Sequence, residues 1–290
     1  LLSAPVRGCF SAMSKEADTQ ENSLTEVDVE KGTLLLNRFR VQERIGRGGF
    51  GQIYNVRDEI TNQLFAMKWQ TSDDHRRLKL EMSVLLQLRG KRHCPVLIAC
   101  GRHNSSAFLI LQKLGKNLAE LRREQTSRSF TPGTVYRIAD QLFTALHDLH
   151  HIGCLHRDIK PSNMCIGQLD RRRIFLIDFG LVRPFTTLSG NVRPRRDLVG
   201  FRGTARYTPL IMHHGQEQGV SGDLISTIYA IVELYKGRLP WSTSLQKPEE
   251  VAAIKERTTL EQLCEHMPKP FLEVAKYIWK LDYAEYPDYA

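Results

Sequence analysis

The sequence lacks long hydrophobic runs and paired cysteines. No apolar stretch reaches the roughly 18–20 residues that a membrane-spanning helix needs, and the first residues lack the apolar core of a signal peptide. The six cysteines are scattered, and no two of them form a C-x-x-C pair. These absences argue against a membrane span, a zinc site and a disulfide framework. They favour a reducing compartment, the cytoplasm and also the nucleus.

Acidic residues are scarce outside the N-terminus. The chain has 41 basic and 32 acidic side chains and a net charge of +9. Residues 1–30 carry two basic and six acidic side chains, net −4, so the other 260 residues carry +13. A basic body favours acidic partners, although a solvated surface without a partner is the alternative. Nucleic acid is not expected, because few aromatic residues lie beside the basic stretches.

The pattern along the 290 residues predicts a small β-rich part followed by a larger helical part. Residues 1–37 are polar and without a clear period, which predicts a disordered extension. Residues 38–115 form the β-rich part, and residues 116–290 the helical part. Alternating patterns predict strands over 41–45, 52–56, 64–69 and 107–111. Apolar residues at helical spacing predict helices over 74–88, from Pro132 to Leu149, and over 223–235, 260–266 and 271–281.

A glycine-rich segment is the first candidate site. Gly46-Arg47-Gly48-Gly49-Phe50-Gly51 matches G-x-G-x-x-G, a spacing that dinucleotide-binding folds also use. In those folds a helix follows, whereas residues 52–56 here alternate as a strand. Glycines in a hairpin let backbone amides approach a triphosphate without a Cβ clash. The segment therefore predicts a phosphate-binding loop, and a hairpin without function is the alternative.

Lys68 and Glu81 are candidates for an ion pair that supports phosphate binding. Lys68 lies 17 residues after Gly51, in an apolar run. An unpaired ammonium there is costly, so Lys68 needs an anionic partner. Glu81, 13 residues further on in the predicted helix, is that candidate, although taken alone it fits an exposed position. The spacing fits the strand lysine that reaches the α- and β-phosphates of ATP.

Two further motifs carry the predicted chemistry. His156-Arg157-Asp158-Ile159-Lys160-Pro161-Ser162-Asn163 matches H-R-D-L-x-x-x-N with Ile for Leu, and Asp178-Phe179-Gly180 follows. Asp158 is predicted to take the proton of a substrate hydroxyl, and Lys160 to reach the γ-phosphate. Asn163 and Asp178 offer the hard oxygen ligands that Mg²⁺ prefers. The ordered motifs predict phosphoryl transfer from ATP with Mg²⁺.

Over residues 39–290 the chain resembles eukaryotic protein kinases. Asp158-x-Lys160 followed by Pro161 resembles the serine/threonine pattern. The segment Gly203-Thr204-Ala205-Arg206-Tyr207 leads to the place where most kinases carry A-P-E, and no A-P-E follows. This arrangement resembles the casein kinase 1 superfamily. Stretches at 155–163, 200–204, 239–241, 254–257 and 281–283 are similar to its tau-tubulin kinase branch. After Tyr207 the chain departs from the family's usual Ala-Ser-Ile-Asn with Thr208-Pro209-Leu210-Ile211.

The resemblance implies the α+β, bilobal protein kinase fold and several further roles. Residues 112–114 would form the hinge that binds adenine, with Leu111 as gatekeeper. Asp223 would hold the catalytic loop, residues 156–163, which carries Asp158. Arg196 and Thr204 would recognise the substrate. The ATP-binding set that it implies is Ile45, Gly46, Arg47, Gly48, Gly49, Phe50, Gly51, Ile53, Ala66, Lys68, Leu111, Gln112, Leu114 and Cys165.

Arginines cluster around the predicted substrate segment, and guanidinium forks suit carboxylates and phosphates. They predict protein substrates that are acidic or already phosphorylated, and the tau-tubulin resemblance adds cytoskeleton-associated proteins. A monomer is expected. The alternative is a pseudokinase-like scaffold without turnover. Pseudokinases usually lack the strand lysine, the base or a metal-binding aspartate, and this sequence has all three. The arginines are Arg193, Arg195, Arg196, Arg202 and Arg206.

Overall fold

The structure is a computed structural model that describes residues 28–48, 51–70, 75–187, 189–242 and 247–289. These residues divide into two compact units. The first runs up to Arg89 and includes Pro95–Leu114, and the second comprises Gly90–Cys94 and the chain from Gly115 onward.

The first unit is an antiparallel sheet with one helix. The sheet has the strand order β1-β2-β3-β4-β6-β5. All its neighbouring strands are antiparallel. The helix α1 is Arg76–Gln87. The strands are β1 Leu34–Leu35, β2 Phe39–Gly48, β3 Gly51–Asp58, β4 Leu64–Gln70, β5 Leu97–His103 and β6 Ser106–Gln112.

One face of this sheet forms an apolar core. Phe65, Met67 and Trp69 alternate along β4 and are buried with Val56 and Ile110 in one cluster. Because side chains alternate between the faces of a strand, the residues between them, Ala66 and Lys68, lie on the opposite face. The period of two in the sequence therefore separates the core face from the face that carries the candidate site.

The prediction of disorder over residues 1–37 is wrong for residues 28–37. Leu34–Leu35 pair with β2 as the edge strand β1. Val29 and Leu35 are buried in the core of the sheet. Val29 and the short run Leu34-Leu35-Leu36 show no period, so the sequence pattern does not reveal that Val29 and Leu35 cover the core. Residues 1–27 lie outside the described part of the chain.

The second unit is mainly helical, as predicted, so the two units together confirm the α+β class. The predicted long helix begins at Pro132 and ends at His151, and the predicted buried helix is Val220–Lys236. Two small antiparallel pairs accompany the helices, β7 with β10 and β8 with β9. The elements are α2 Leu118–Glu124, α3 Pro132–His151, β7 Cys154–Leu155, β8 Met164–Ile166, β9 Ile174–Leu176, β10 Arg183–Pro184, α4 Leu210–His213, α5 Val220–Lys236, α6 Pro248–Arg257, α7 Leu260–Leu263 and α8 Lys269–Lys280.

The helices and cysteines of the described residues bear on two expectations from the sequence. No helix in the described ranges is long and apolar enough to cross a bilayer. Cys154, Cys165 and Cys264 are buried thiols. Cys100 is disulfide-bonded, which corrects the expectation that the scattered cysteines form no disulfide. Spacing along the chain does not report which cysteines the fold brings together.

Candidate active site

The described part of the glycine-rich segment ends β2 at Gly48 and begins β3 at Gly51. Gly48 pairs with Gly51 across the hairpin, and Arg47 pairs with Gln52. Gly51 has φ of +152°, and a Cβ there would lie 2.2 Å from the backbone oxygen of Trp69. Only glycine fits this close approach. Gly49 and Phe50, at the predicted tip, lie outside the described residues.

The sheet brings the predicted adenine and phosphate residues of this unit onto one face. Ile53 is the register partner of Lys68, and Ala66 is the partner of Leu111. Register partners point to the same face, so these four side chains share the face opposite the apolar core. Ile45 on β2 is 49% exposed.

Lys68 and Glu81 form the predicted ion pair. Lys68 Nζ donates to Glu81 Oε2 at 2.5 Å, and both residues are buried. Strand β4 supplies the lysine and the middle of α1 supplies the glutamate. Loss of either partner leaves the other charge buried, which typically costs about 3–5 kcal/mol. The pair therefore couples the position of α1 to that of Lys68, the lysine predicted to bind phosphate.

The predicted hinge continues from β6. Gln112 N–H donates to Val96 O at 2.8 Å, and Val96 N–H donates to the Gln112 side chain at 3.3 Å. These bonds fix the main chain directly before Leu114. Cys165 lies in the second unit on β8, where burial raises the pKa of its thiol to about 12. Cys165 is therefore suited to packing and not to covalent chemistry.

Asp158 lies at the centre of a hydrogen-bonded group in the second unit. Its Oδ2 is 2.7 Å from Lys160 Nζ, and its Oδ1 accepts a bond from Thr204 Oγ1 at 2.9 Å. Lys160 Nζ also donates to Thr204 Oγ1 at 3.0 Å. Asn163 Nδ2 donates to the main-chain oxygen of Asp158 at 2.9 Å and to Oδ2 at 3.2 Å. The structure thus brings together the predicted base, its lysine and a metal-ligand candidate, and adds a hydroxyl.

The approach of Thr204 to the catalytic loop depends on its neighbour. Gly203 has φ of +92°, and a Cβ there would lie 2.8 Å from the main-chain oxygen of Arg157. Glycine is the residue that tolerates both the left-handed φ and the contact. The sequence singled out Gly203-Thr204 through the family resemblance, and the close approach is the physical reason for it.

Asp223 holds the catalytic loop from α5. Its Oδ2 accepts from His156 N–H at 2.6 Å, and its Oδ1 from Arg157 N–H at 2.8 Å. His150 Nε2 lies 3.0 Å from Oδ2, and Gln218 Nε2 donates to Oδ1 at 3.3 Å. Burial acts to raise the pKa of Asp223, but the His150 hydrogen bond and the neighbouring groups leave it below its usual value. The predicted role of Asp223 matches this geometry.

His156 connects the catalytic loop to the chain around Asp178. Its Nε2 lies 3.1 Å from Ile177 O, and its ring lies 5.4 Å from that of Phe179. Burial lowers the pKa of His156, so the neutral ring is favoured. Arg157 and Asp178 both have φ of +67°. Left-handed backbone at two such residues is strained, and strain of this kind concentrates at functional sites.

Asn163 and Asp178 fit a magnesium ion by the chemistry of their donors. The Asn163 amide nitrogen is used on Asp158, which leaves its carbonyl oxygen as a ligand. Ile177 N–H donates to Asn163 O at 2.9 Å, which fixes the chain before Asp178 beside this loop. Within the described residues no group of three His, Cys, Asp or Glu could hold a metal. A Mg²⁺ site shared with phosphate oxygens and water needs no such group.

Arg196, which the family resemblance implies recognises the substrate, contacts a carboxylate of the chain itself. Its Nε and Nη2 donate to Glu217 Oε2 and Oε1, both at 2.9 Å, and Arg183 Nε lies 2.7 Å from Glu217 Oε1. Burial acts to raise the pKa of Glu217, but the Arg196 bonds lower it overall. The Arg196 guanidinium therefore holds a buried carboxylate of this chain, and its role in substrate recognition stays a prediction. Glu217 lies 21 residues away in sequence, and no local pattern marks it.

Four arginines nevertheless converge near the catalytic loop. Arg157 Nε donates to Leu181 O at 2.8 Å. Burial, followed by the positive charges of Arg202, Arg183 and Arg196, lowers the pKa of Arg157 to about 10. Arg183 and Arg196 lie close together, because both contact the Glu217 carboxylate. Glu217 balances only part of their charge.

The segment after Gly203 is anchored by Glu233 and Lys255, a role that the sequence does not predict for either residue. Arg206 Nη1 lies 3.2 Å from Glu233 Oε1, and Tyr207 Oη donates to Glu233 Oε2 at 2.5 Å. Lys255 Nζ donates to the main-chain oxygens of Ala205 at 2.7 Å and Thr208 at 2.6 Å. A charged residue inside a helix pattern could have signalled this: Glu233 lies within the apolar run of α5.

Comparison with known proteins identifies the family of this chain. The protein kinase domain model matches residues 39–284. A probable serine/threonine-protein kinase of Dictyostelium discoideum is 37% identical over 89% of this chain and 52% of its own length. A putative casein kinase I of Caenorhabditis elegans is 36% identical over 81% of the chain and 70% of its own length. Casein kinase I homolog 3 of Schizosaccharomyces pombe is 33% identical over 87% of the chain and 59% of its own length. The chain thus spans about half the length of the first of these relatives.

The chain belongs to the protein kinase family. Its similarity to casein kinase I proteins over most of its length assigns it more narrowly to the casein kinase 1 superfamily. The predicted family and fold are therefore confirmed, and the tau-tubulin branch stays a prediction. A protein kinase domain uses ATP and Mg²⁺ in general.

Proposed function

We propose that this chain is a serine/threonine protein kinase that transfers the γ-phosphoryl group of ATP to hydroxyl groups of protein substrates. The observation that supports it most is the arrangement around Asp158, whose two carboxylate oxygens are oriented by Lys160, Thr204 and Asn163. Asp223 fixes the loop that carries it. A scaffold without turnover has no need of an oriented base and a buried Lys68–Glu81 pair.

In the proposed reaction Asp158 orients the substrate hydroxyl and accepts its proton. The substrate oxygen forms a bond to the γ-phosphorus, and the bond from that phosphorus to the bridging oxygen of ADP breaks. Lys160, held 2.7 Å from Asp158 Oδ2, supplies positive charge at the transferred group. Thr204 keeps both residues in place through its hydroxyl.

The residues predicted to bind ATP and Mg²⁺ have separate proposed roles. Lys68 neutralises the α- and β-phosphates, and Glu81 keeps its ammonium in position. Asn163 and Asp178 would hold Mg²⁺, which neutralises phosphate charge and orients the leaving group. Gly51 and the backbone of its hairpin approach the phosphates, and the hinge residues Gln112 and Leu114 recognise adenine.

The proposed substrates carry acidic or phosphorylated residues near the acceptor hydroxyl. The positive charges of Arg183, Arg196 and Arg202 near Arg157 support this preference, because Glu217 pairs with only Arg183 and Arg196. Arg202 is exposed and makes no ion pair within the described residues, so its guanidinium is available. Arg196 contributes positive potential, although its fork is held by Glu217.

A transfer assay with radiolabelled ATP tests the reaction. Asp158→Asn keeps the size of the side chain but removes the base, and we expect kcat to fall by about 10²–10⁴-fold with little change in the KM for ATP. Asp140→Asn, on an exposed part of α3, is the matched control. Absence of transfer by the unmodified chain, or full transfer by Asp158→Asn, would contradict the proposal.

A pair of peptides tests the substrate preference. Both contain one acceptor serine, and they differ only in whether a neighbouring serine is phosphorylated. We expect Arg202→Gln to lower kcat/KM for the phosphorylated peptide by about tenfold and to leave the other peptide unchanged, because one charged hydrogen bond is lost. Arg257→Gln, an exposed arginine on α6, serves as the control. Equal use of the two peptides by the unmodified chain would contradict this preference.

A further inference from the structure

The second unit contains a groove that takes no part in the proposed chemistry. It has a volume of about 410 Å³ and is lined by residues of α2, α3 and the β8–β9 hairpin. This volume lies within the ~300–1,000 Å³ of typical ligand sites. Leu118, Ile138 and Ile174 are buried and form its floor, while Leu121, Phe130 and Ile166 are partly exposed along it.

Three arginines surround this apolar groove. Arg137 lies on α3, and Arg171 and Arg172 lie in the turn between β8 and β9, and all three are exposed. Within the described residues, none of the three makes an ion pair. By contrast, the neighbouring Arg173 is used internally, because its Nε donates to Arg92 O and its guanidinium packs over Phe175. The three guanidinium groups are therefore available to a ligand.

The turn that carries two of these arginines is fixed to α3. Gln141 Oε1 accepts from Ile174 N–H at 2.9 Å, and Gln141 Nε2 donates to Arg172 O at 3.0 Å. Arg172 N–H also donates to the Asp170 carboxylate at 3.0 Å. One glutamine side chain thus fixes the hairpin against the helix, so the shape of the groove and the place of the arginines exist before any ligand arrives.

We propose that this groove docks an acidic, leucine-rich linear segment of a protein partner. Apolar side chains of the segment fill the floor, and its carboxylates meet the three arginines, as in the recognition of acidic motifs by arginine clusters. Charge complementarity selects this occupant: an apolar floor surrounded by three unpaired cations fits a segment that is both apolar and acidic. The proposal rests on the proposed function in one respect, which is that the partner is a kinase substrate.

Other occupants fit less well. A single-stranded nucleic acid needs aromatic side chains on which its bases stack, and Phe130 is the one aromatic residue that lines the groove. The chain's own residues 1–27 include four acidic side chains and Leu24. They are a competitor for the same groove, and the experiment below distinguishes them from a separate partner.

Fluorescence anisotropy on the full chain without ATP tests the proposal directly. The probe is a labelled twelve-residue peptide of glutamates with three spaced leucines and no serine, threonine or tyrosine, so that it has no acceptor hydroxyl. One matched peptide has lysine for each glutamate, and a second has glycine for each leucine. We expect the glutamate–leucine peptide to bind at least about tenfold more tightly than either, because both charge and apolar burial contribute.

Charge reversal locates the binding site. Arg171→Glu with Arg172→Glu should weaken binding of the glutamate–leucine peptide by about tenfold or more, because two attractive charges become repulsive. Arg238→Glu with Arg257→Glu changes the net charge equally at exposed positions outside the groove and should leave the affinity unchanged. Leu121→Ala, with its melting temperature measured, tests the apolar contribution separately. A chain without residues 1–27 should bind the peptide with similar affinity, and a marked gain would assign the groove to those residues instead.

Two outcomes would overturn the proposal: equal binding of the three peptides, or binding that survives reversal of Arg171 and Arg172. Kinase activity is measured in parallel on a short acceptor peptide without the docking segment. We expect Arg171→Glu with Arg172→Glu to leave that activity unchanged. Peptide binding without any phosphoryl transfer by the unmodified chain would refute the proposed function and leave the docking groove in place.

Discussion

Two buried carboxylates on α5 anchor the two segments that meet at the candidate active site, and they do so in different ways. Asp223, 0% exposed, accepts main-chain N–H groups of His156 and Arg157. Glu233, 1% exposed, accepts the side chains of Arg206 and Tyr207. The first anchor thus fixes a backbone whatever side chains that backbone carries. The second depends on the identity of the residues that it holds.

The difference matters for what each segment does. The loop held by Asp223 carries the proposed phosphoryl-transfer residues, and the geometry that this reaction needs cannot vary from one substrate to another. The segment held by Glu233 contains Thr204 and follows the exposed Arg202, which is proposed to meet the substrate. An anchor made of side chains can differ among related proteins without a change in the catalytic loop, so we expect substrate recognition and catalysis to respond separately to substitutions.

The largest effect is expected for Asp223→Asn. An amide has one oxygen in place of two and presents an NH₂ group where the second main-chain N–H now donates. We expect kcat to fall by about 100-fold or more, and the free energy of unfolding to fall by about 2–4 kcal/mol, because a buried donor loses its partner. Steady-state kinetics and urea unfolding measure the two quantities. An unchanged kcat would show that the loop keeps its position without this carboxylate.

Glu233→Gln should have a smaller effect of a different kind. The amide still accepts one bond, but Arg206 loses its buried counter-charge, and we expect a loss of about 1–3 kcal/mol in the free energy of unfolding. The KM for a protein substrate should rise several-fold, while kcat and the KM for ATP stay close to those of the unmodified chain. An equal fall in kcat on all substrates would remove the distinction between the two anchors.

The roles of the residues around Asp158 are easier to predict from the sequence than the contacts that hold the segment after Gly203. Asp158, Asn163 and Asp178 stand in short motifs whose spacing reports their chemistry directly. Asp223 was expected through the family resemblance, and its hydrogen bonds are the physical basis of that role. The fold class and the long helices are predicted by periodicity. Each long helix begins and ends close to its predicted bounds.

Long-range pairs could not be predicted from one sequence. Arg196 is matched by Glu217 and Arg206 by Glu233, over separations of 21 and 27 residues with no common motif. Short elements were missed for a related reason: α2 and α6 are too short, and too polar, for a period to show. The strand β5, with a half-buried pattern and a register shift opposite β6, gave no clean alternation either.

The smallest effect is expected for Lys255, which holds the same segment as Glu233. The ammonium group of Lys255 is buried among the groups to which it donates. It donates to the oxygens of Ala205 and Thr208 and lies over the rings of Tyr229 and Trp241, 5.0 and 5.2 Å from their centroids. Burial lowers the pKa of Lys255 to about 7, from an ordinary value near 10.5. Between these two values the unfolded chain binds a proton at this residue that the folded chain does not.

Stability should therefore rise with pH through that window, by on the order of 1 kcal/mol per pH unit from this group. We expect the unmodified chain to gain stability relative to Lys255→Met between pH 6 and pH 9, as measured by urea unfolding of both proteins. Burial lowers the pKa of the neighbouring His213 to about 4, so His213 stays neutral over the range and does not imitate the effect. A constant difference between the two proteins would mean that the oxygens of Ala205 and Thr208 keep Lys255 charged throughout this range.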